Sequence, residues 1–110
     1  MTPTEKLKEN KDKVLEIVNK YEQLGFANVK IHGSVARGED TENSDLDLIY
    51  TFKSSKVMNY NDYVQFFDDL EVLLDLKVDF FSVRELKPLI AEHILSYAVP
   101  FKFFLEHLNE

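Results

Sequence analysis

The chain has 110 residues, 45% hydrophobic and 13% aromatic, so we expect one compact domain over residues 1–110 with an adequate core. It has no cysteine, which excludes disulfides and cysteine-based zinc sites, and its N-terminus shows no apolar signal segment, so we expect a cytoplasmic protein without membrane contact. The net charge of −7 argues against direct nucleic-acid binding, which depends on basic side chains that neutralise phosphates.

The N-terminal segment has the signature of a helix start. Thr2 can serve as the N-cap, Pro3 takes the first helical position, and Glu5 stands three residues after the cap. Apolar residues then recur at helical spacing as far as Leu24, and Gly25 ends the run. The sequence therefore predicts one helix over residues 4–24.

A short strand and a tight turn follow this helix. Val29–His32 alternates apolar and polar residues, which is typical of a strand, and Gly33 ends it. Residues 34–37 can form a helical turn that Gly38 closes as a C-terminal cap. The start of such a turn offers free N–H groups to phosphate oxygens. Gly33 has no Cβ to keep a ligand away from the backbone, and Ser34 adds a hydroxyl, so both are candidate nucleotide-binding residues.

Two aspartates stand at the beginning of the next strand, Leu46–Phe52. Residues i and i+2 of a strand face the same side, so Asp45 and Asp47 project together. At about 4 Å and an effective dielectric near 20, their repulsion is roughly 4 kcal/mol. A cation between the carboxylates removes this cost, and Mg²⁺ suits oxygen ligands while keeping positions open for phosphates. Gly-Ser followed by Asp-Leu-Asp therefore predicts transfer of a nucleotidyl group from a nucleoside triphosphate.

The rest of the chain completes a mixed fold. Its segments are a polar loop at 54–61, an amphipathic helix from Tyr63 to Leu74, a strand at 76–81, a helix from about Pro88 to Leu95 and a short segment at 103–108. This order predicts an α/β (α+β) fold, a small mixed sheet of three or more strands flanked by helices. Asp79 is unusual inside an apolar strand, because an unpaired buried charge costs several kcal/mol.

The stretch from Gly33 to Leu48 resembles a known family. Gly33-Ser34, ten residues and then Asp45-x-Asp47, with Ala36-Arg37-Gly38 in between, is similar to the minimal nucleotidyltransferases of the DNA polymerase beta superfamily. The resemblance implies the nucleotidyltransferase fold and a third carboxylate on a later strand, where this chain offers Asp79. Asp45, Asp47 and Asp79 are then the expected catalytic residues and metal ligands, and Gly33, Ser34 and Arg37 the expected nucleotide-binding residues.

The same resemblance implies a substrate and a partner. ATP would bind at the turn, and two Mg²⁺ ions would be held by the aspartates. Proteins of this kind are commonly antitoxins that transfer AMP to a tyrosine of a HEPN-type ribonuclease toxin, so we expect a hetero-oligomer with such a toxin.

Other interpretations remain open from the sequence. Asp-Leu-Asp alone is also typical of the solvent face of an edge strand. Ser34 can simply cap the helical turn, and Arg37 can form a surface ion pair with Glu39 or Asp40. At the level of function, the alternatives are a stand-alone transferase acting on a small molecule and a non-catalytic antitoxin that binds and occludes its toxin.

Overall fold

The computed structural model describes residues 1–108. Along that part of the chain the helices and strands are α1 (Pro3–Glu9), α2 (Lys11–Gln23), β1 (Phe26–His32), α3 (Gly33–Arg37), β2 (Leu46–Phe52), α4 (Tyr60–Leu74), β3 (Val78–Ser82), a 3-10 turn (Val83–Glu85), α5 (Pro88–Leu95), β4 (Val99–Pro100) and α6 (Phe101–Glu106). The predicted mixed sheet flanked by helices is confirmed.

Within the described residues the strands form one sheet in the order β3-β2-β1-β4. β2 pairs in parallel with β3 and antiparallel with β1, and β1 pairs antiparallel with β4. The three strands predicted from the sequence are therefore neighbours. β4 was not predicted, because it has only two residues and ends in Pro100, which a sheet accepts at an edge.

One face of the sheet carries the main core. Alternate strand residues, such as Leu46, Leu48 and Tyr50 of β2, point to this face and are buried. They belong to one cluster with apolar residues of α1, α2, α4 and α6. The remaining strand residues point to the opposite face, where the predicted acidic residues lie.

The first predicted helix is wrong in one respect, since it is two helices. α1 ends and α2 begins around Asn10, whose φ of −114° and ψ of 19° depart from helical values. Its side-chain amide donates to the Lys6 carbonyl oxygen at 2.9 Å, which satisfies a carbonyl at the end of α1. The apolar pattern continues across the break because both helices bury residues in the same core. The predicted capping box of Thr2 and Glu5 is confirmed.

The segment between β3 and β4 connects the two outer strands of the sheet and contains α5. Ile49, on the face opposite the main core, is buried although it lies outside the main core cluster. Between residues 1 and 108, no helix combines the length and apolar character needed to span a membrane.

Candidate active site

The turn after β1 has the predicted form. α3 begins at Gly33 and ends at Arg37. Its C-cap, Gly38, adopts a left-handed conformation with φ of 73° and donates its N–H to the Val35 carbonyl oxygen at 3.1 Å. Gly33 has φ of 77°, a value that side-chain-bearing residues rarely adopt. The sequence requires glycine at both ends of α3 for this backbone path.

Gly33 is also packed directly against the first acidic strand. A Cβ at this position would collide with the carboxylate of Asp47. No atom lies within 4 Å of the corresponding Cβ position at Gly38. The glycine at 33 is therefore required twice, for its backbone conformation and for the close approach of the Asp47 side chain.

The three predicted aspartates lie on one face of the sheet. Asp47 of β2 and Asp79 of β3 are direct partners in the parallel pair, so their side chains stand side by side. Asp45 precedes β2 by one residue, and strand alternation puts it on the same side as Asp47. Asp45 and Asp79 both come within 4 Å of one lysine ammonium, at 3.9 and 3.6 Å. The chain thus brings together the side chains that its sequence singles out.

The electrostatics of this group are those of crowded carboxylates. Burial raises the pKa of Asp47 to about 6, and the hydrogen-bonding and charge effects of Asp79 and the charge of Asp45 act in the same direction. The positive charge of Arg37 acts against them. At neutral pH the site holds negative charge that folding alone does not neutralise, which is the property expected of a site that binds a cation.

Lys77 is the lysine that contacts Asp45 and Asp79, and the sequence analysis did not single it out. It stands two residues before Asp79, so strand alternation puts both on one face. That spacing is a usable signal, because a basic residue at i−2 from a candidate metal ligand lies at the same site.

The carboxylates of Asp45, Asp47 and Asp79 are chemically suited to a divalent metal ion. Carboxylate oxygens are the ligands that Mg²⁺ prefers, and three aspartates converge here from adjacent strands. As they stand, no three acidic, histidine or cysteine side chains within residues 1–108 are arranged to hold a metal ion. The Lys77 ammonium lies beside two of the three aspartates, on carboxylate oxygens that a metal ion would use.

The other predicted site residues lie around this centre. Ser34 is half-buried in the first turn of α3. Arg37 is exposed and its Nε donates to Glu39 Oε1 at 3.0 Å, which is the surface ion pair considered from the sequence. His32 faces Asp47 across the β1–β2 pair. Burial lowers the pKa of His32, and the charge of Asp79 opposes that shift.

The acidic loop between α3 and β2 is anchored away from the aspartates. Asp40 accepts hydrogen bonds from the Thr4 backbone N–H at 2.9 Å and from the Thr4 hydroxyl at 2.8 Å. Ser44 accepts from the Thr41 N–H at 2.9 Å. These contacts give the loop a structural role, because Asp40 ties it to the start of α1.

Comparison with known proteins places this geometry in a family. Residues 12–100 match the family described as "Polymerase beta, Nucleotidyltransferase", and this range contains the turn, both acidic strands and Lys77. The chain belongs to the polymerase beta nucleotidyltransferase family. It is therefore an enzyme of the nucleotidyltransferase class, a class that acts on a nucleotide substrate with a divalent metal ion.

Named nucleotidyltransferase relatives support this membership. "Protein adenylyltransferase MntA" of Thermococcus cleftensis is 32% identical over 78 residues, which is 71% of this chain and 77% of that protein. "Putative protein adenylyltransferase MJ0435" of Methanocaldococcus jannaschii is 33% identical over 93 residues, which is 84% of this chain and 95% of that protein.

Solved nucleotidyltransferase structures share the fold. One, described as a "putative minimal nucleotidyltransferase", superposes with a TM-score of 0.72 at 34% identity and covers 86% of this chain and 94% of that one. A chain from a toxin-antitoxin structure with AMP-PNP superposes with a TM-score of 0.64 at 15% identity, covering 90% of this chain and 80% of that one. The second similarity shows the fold alone.

Proposed function

We propose that this nucleotidyltransferase is a metal-dependent protein adenylyltransferase that transfers AMP from ATP to a tyrosine of a HEPN-type toxin and thereby neutralises it. The observation that carries the proposal is the parallel pairing of Asp47 with Asp79 beside the Gly33 turn. It joins a carboxylate pair and the tight turn at the start of α3 in one place. The names of the relatives, protein adenylyltransferases, support a protein as the acceptor.

The turn at α3 is the proposed triphosphate site. The missing Cβ of Gly33 lets the backbone of the turn lie against Asp47, and the start of α3 offers N–H groups to phosphate oxygens there. Ser34 contributes its backbone N–H and its hydroxyl. Arg37, one turn further along α3 and exposed, can exchange its ion pair with Glu39 for a phosphate oxygen.

Asp45, Asp47 and Asp79 are the proposed ligands of two Mg²⁺ ions. Bound there, the ions supply charge neutralisation at the α-phosphate and the leaving pyrophosphate. Asp79 lies on β3, an edge strand, and is therefore the outermost of the three aspartates in the sheet. In the proposed reaction it accepts the proton of the attacking tyrosine hydroxyl. The tyrosine oxygen bonds to the α-phosphorus, the bond to pyrophosphate breaks, and the products are an AMP ester and pyrophosphate.

The proposed partner is a HEPN-type ribonuclease toxin in a hetero-oligomer. The fold is shared with a chain solved as part of a toxin-antitoxin assembly. The net charge of −7 favours a protein surface that itself binds RNA, since such a surface is basic. It disfavours direct binding of nucleic acid by this chain.

Intact mass spectrometry of the toxin tests the proposal. After incubation with this protein, ATP and Mg²⁺, the toxin should gain about 329 Da for each AMP attached. The Asp47→Asn variant should leave the mass unchanged, whereas Asp12→Asn, an exposed aspartate on α2, should act as wild type. An unmodified toxin after incubation with the wild-type protein contradicts the proposal.

The two alternatives give different results in the same assay. Pyrophosphate release from ATP and a small molecule, without any toxin, would identify the stand-alone transferase. Protection of cells from the toxin by the Asp45→Asn, Asp47→Asn double variant would show that binding alone neutralises the toxin.

A further inference from the structure

Lys77 places a positive charge inside the proposed metal site. Its ammonium lies 3.6 Å from Asp79 Oδ1 and 3.9 Å from Asp45 Oδ2, so one side chain contacts carboxylates from both sides of the β2–β3 pair. These carboxylate oxygens are the ones that a divalent cation would take. A lysine and a metal ion therefore compete for the same ligands.

The backbone of Lys77 is held by hydrogen bonding, while its side chain is largely exposed to solvent. The Leu46 N–H donates to the Lys77 carbonyl oxygen at 3.0 Å, and the next residue, Val78, donates its N–H to Glu71 Oε2 at 2.9 Å. The Lys77 side chain itself is 67% exposed. Because its stem has four rotatable carbons, the ammonium can leave the carboxylates without any movement of the sheet.

We infer that Lys77 is the resident counter-ion of the metal-free site, which the incoming divalent ion must displace, so that this lysine sets the metal affinity. The inference rests on the proposed metal site and concerns Lys77 as a positioning residue, with no role in bond formation. Three aspartates and one ammonium leave the site with net negative charge, enough to attract a divalent ion. Until that ion binds, the Lys77 ammonium occupies the position beside the carboxylate oxygens of Asp45 and Asp79.

An ordinary surface ion pair would behave differently. Exposed pairs contribute little to stability, so a lysine of that kind could be replaced without measurable effect on folding or binding. A lysine that competes with the metal changes one quantity, the dissociation constant of the metal. The inference is therefore tested by metal binding, independently of catalytic activity.

The experiment measures Mn²⁺ binding to the whole protein, without nucleotide, from the electron paramagnetic resonance signal of free Mn²⁺. Lys77→Met should bind Mn²⁺ about tenfold more tightly than wild type, because a unit charge near a divalent ion is removed. Lys77→Arg should restore the wild-type affinity, since it keeps the charge at the site. Lys56→Met, an exposed lysine in the loop after β2, is the matched control and should not change the affinity.

The outcomes separate this inference from the proposed function. Mn²⁺ binding by wild type with equal or weaker binding by Lys77→Met overturns the role of Lys77 and leaves the metal site intact. Absence of binding by wild type overturns the metal site itself. Circular dichroism checks folding of each variant, and Lys77→Gln repeats the test if the methionine variant does not fold.

Discussion

At the scale of single residues, the site depends on the contact between Gly33 and Asp47. The glycine lies at the N-terminus of α3 and the aspartate at the start of β2, and no room remains between them for a methyl group. The close approach of the α3 turn to the Asp47 carboxylate therefore depends on the missing side chain at Gly33. A substitution there should change catalysis more than folding.

Gly33→Ala and Gly38→Ala form a matched pair that tests this contact. Both glycines have positive φ, 77° and 73°, so each alanine carries a similar backbone cost of about 1–2 kcal/mol. Only the alanine at 33 displaces Asp47, and such a displacement should lower AMP transfer by about 100-fold. Gly38→Ala should keep near-normal transfer per folded molecule. Equal activity losses in the two variants would refute the assigned role of the contact.

The raised pKa of Asp47 predicts a pH-dependent stability of the metal-free protein. The pKa of about 6 lies above the ordinary value of 3.8, so ionising Asp47 costs free energy of folding. This cost is absent below about pH 4, grows as the pH rises and is complete above about pH 6. Asp47→Asn removes it, so in EDTA at neutral pH this variant should unfold at a higher temperature than wild type.

The check is a thermal melt of both proteins at several pH values. The difference in melting temperature should shrink as the pH falls from about 7 to about 4.5, because Asp47 of the wild type becomes neutral. A variant that is less stable than wild type at neutral pH, or a difference independent of pH, would show that Asp47 is not destabilised by its surroundings.

The residues of the site were predictable to different degrees. Strand alternation was sufficient to place Asp45 and Asp47 together, because period two needs no knowledge of the partner strands. The alignment of Asp79 with Asp47 depends on the β2–β3 register, which no local pattern specifies. The contact of Lys77 with Asp45 depends on that same register, whereas its place beside Asp79 follows from their two-residue spacing alone.

At the scale of elements, α4 supports the strand that carries Asp79. Phe66 of α4 is fully buried and its ring centroid lies 4.8 Å from that of Phe80 and 4.5 Å from that of Tyr21. The Tyr63 hydroxyl donates to the Phe80 carbonyl oxygen at 2.6 Å. These contacts hold β3 against the core, and through β3 they hold Asp79 beside Asp47.

Truncation of Phe66 tests this support. Phe66→Ala should lower the free energy of unfolding by about 3–5 kcal/mol, because it leaves a cavity among aromatic rings. Phe103→Ala, at a position that is 54% exposed, should change it by less than about 0.5 kcal/mol. Urea denaturation of both variants measures the difference, and similar losses would show that α4 does not anchor the core.

Element positions were predictable where the apolar pattern is regular. β2 and α5 occupy their predicted segments, and the start of α4 lies three residues before Tyr63. β1 begins earlier than predicted, at Phe26, because its pairing with β2 is irregular between Ala27 and Lys30 and Asn28 adopts a φ of 51°. A bulge of this kind interrupts the alternation on which strand prediction depends.

At the scale of the whole molecule, one face of the sheet packs in the main core and the other carries the acidic residues of the candidate site. The first face is covered by α1, α2, α4 and α6 and holds the main core. The opposite face carries the aspartates and Lys77. The acidic residues therefore lie on a sheet whose other face is packed against helices. This difference between the two faces was predictable from the alternation of apolar and acidic residues in β2 and β3.

The central claim is that Asp45, Asp47 and Asp79 form one divalent-metal centre. Anomalous diffraction from crystals soaked in Mn²⁺ and a non-hydrolysable ATP analogue tests it most directly. The account predicts anomalous peaks at about 2 Å from carboxylate oxygens of all three aspartates, with the triphosphate along the Gly33 turn. Peaks elsewhere, or a metal bound without Asp79, would contradict the account.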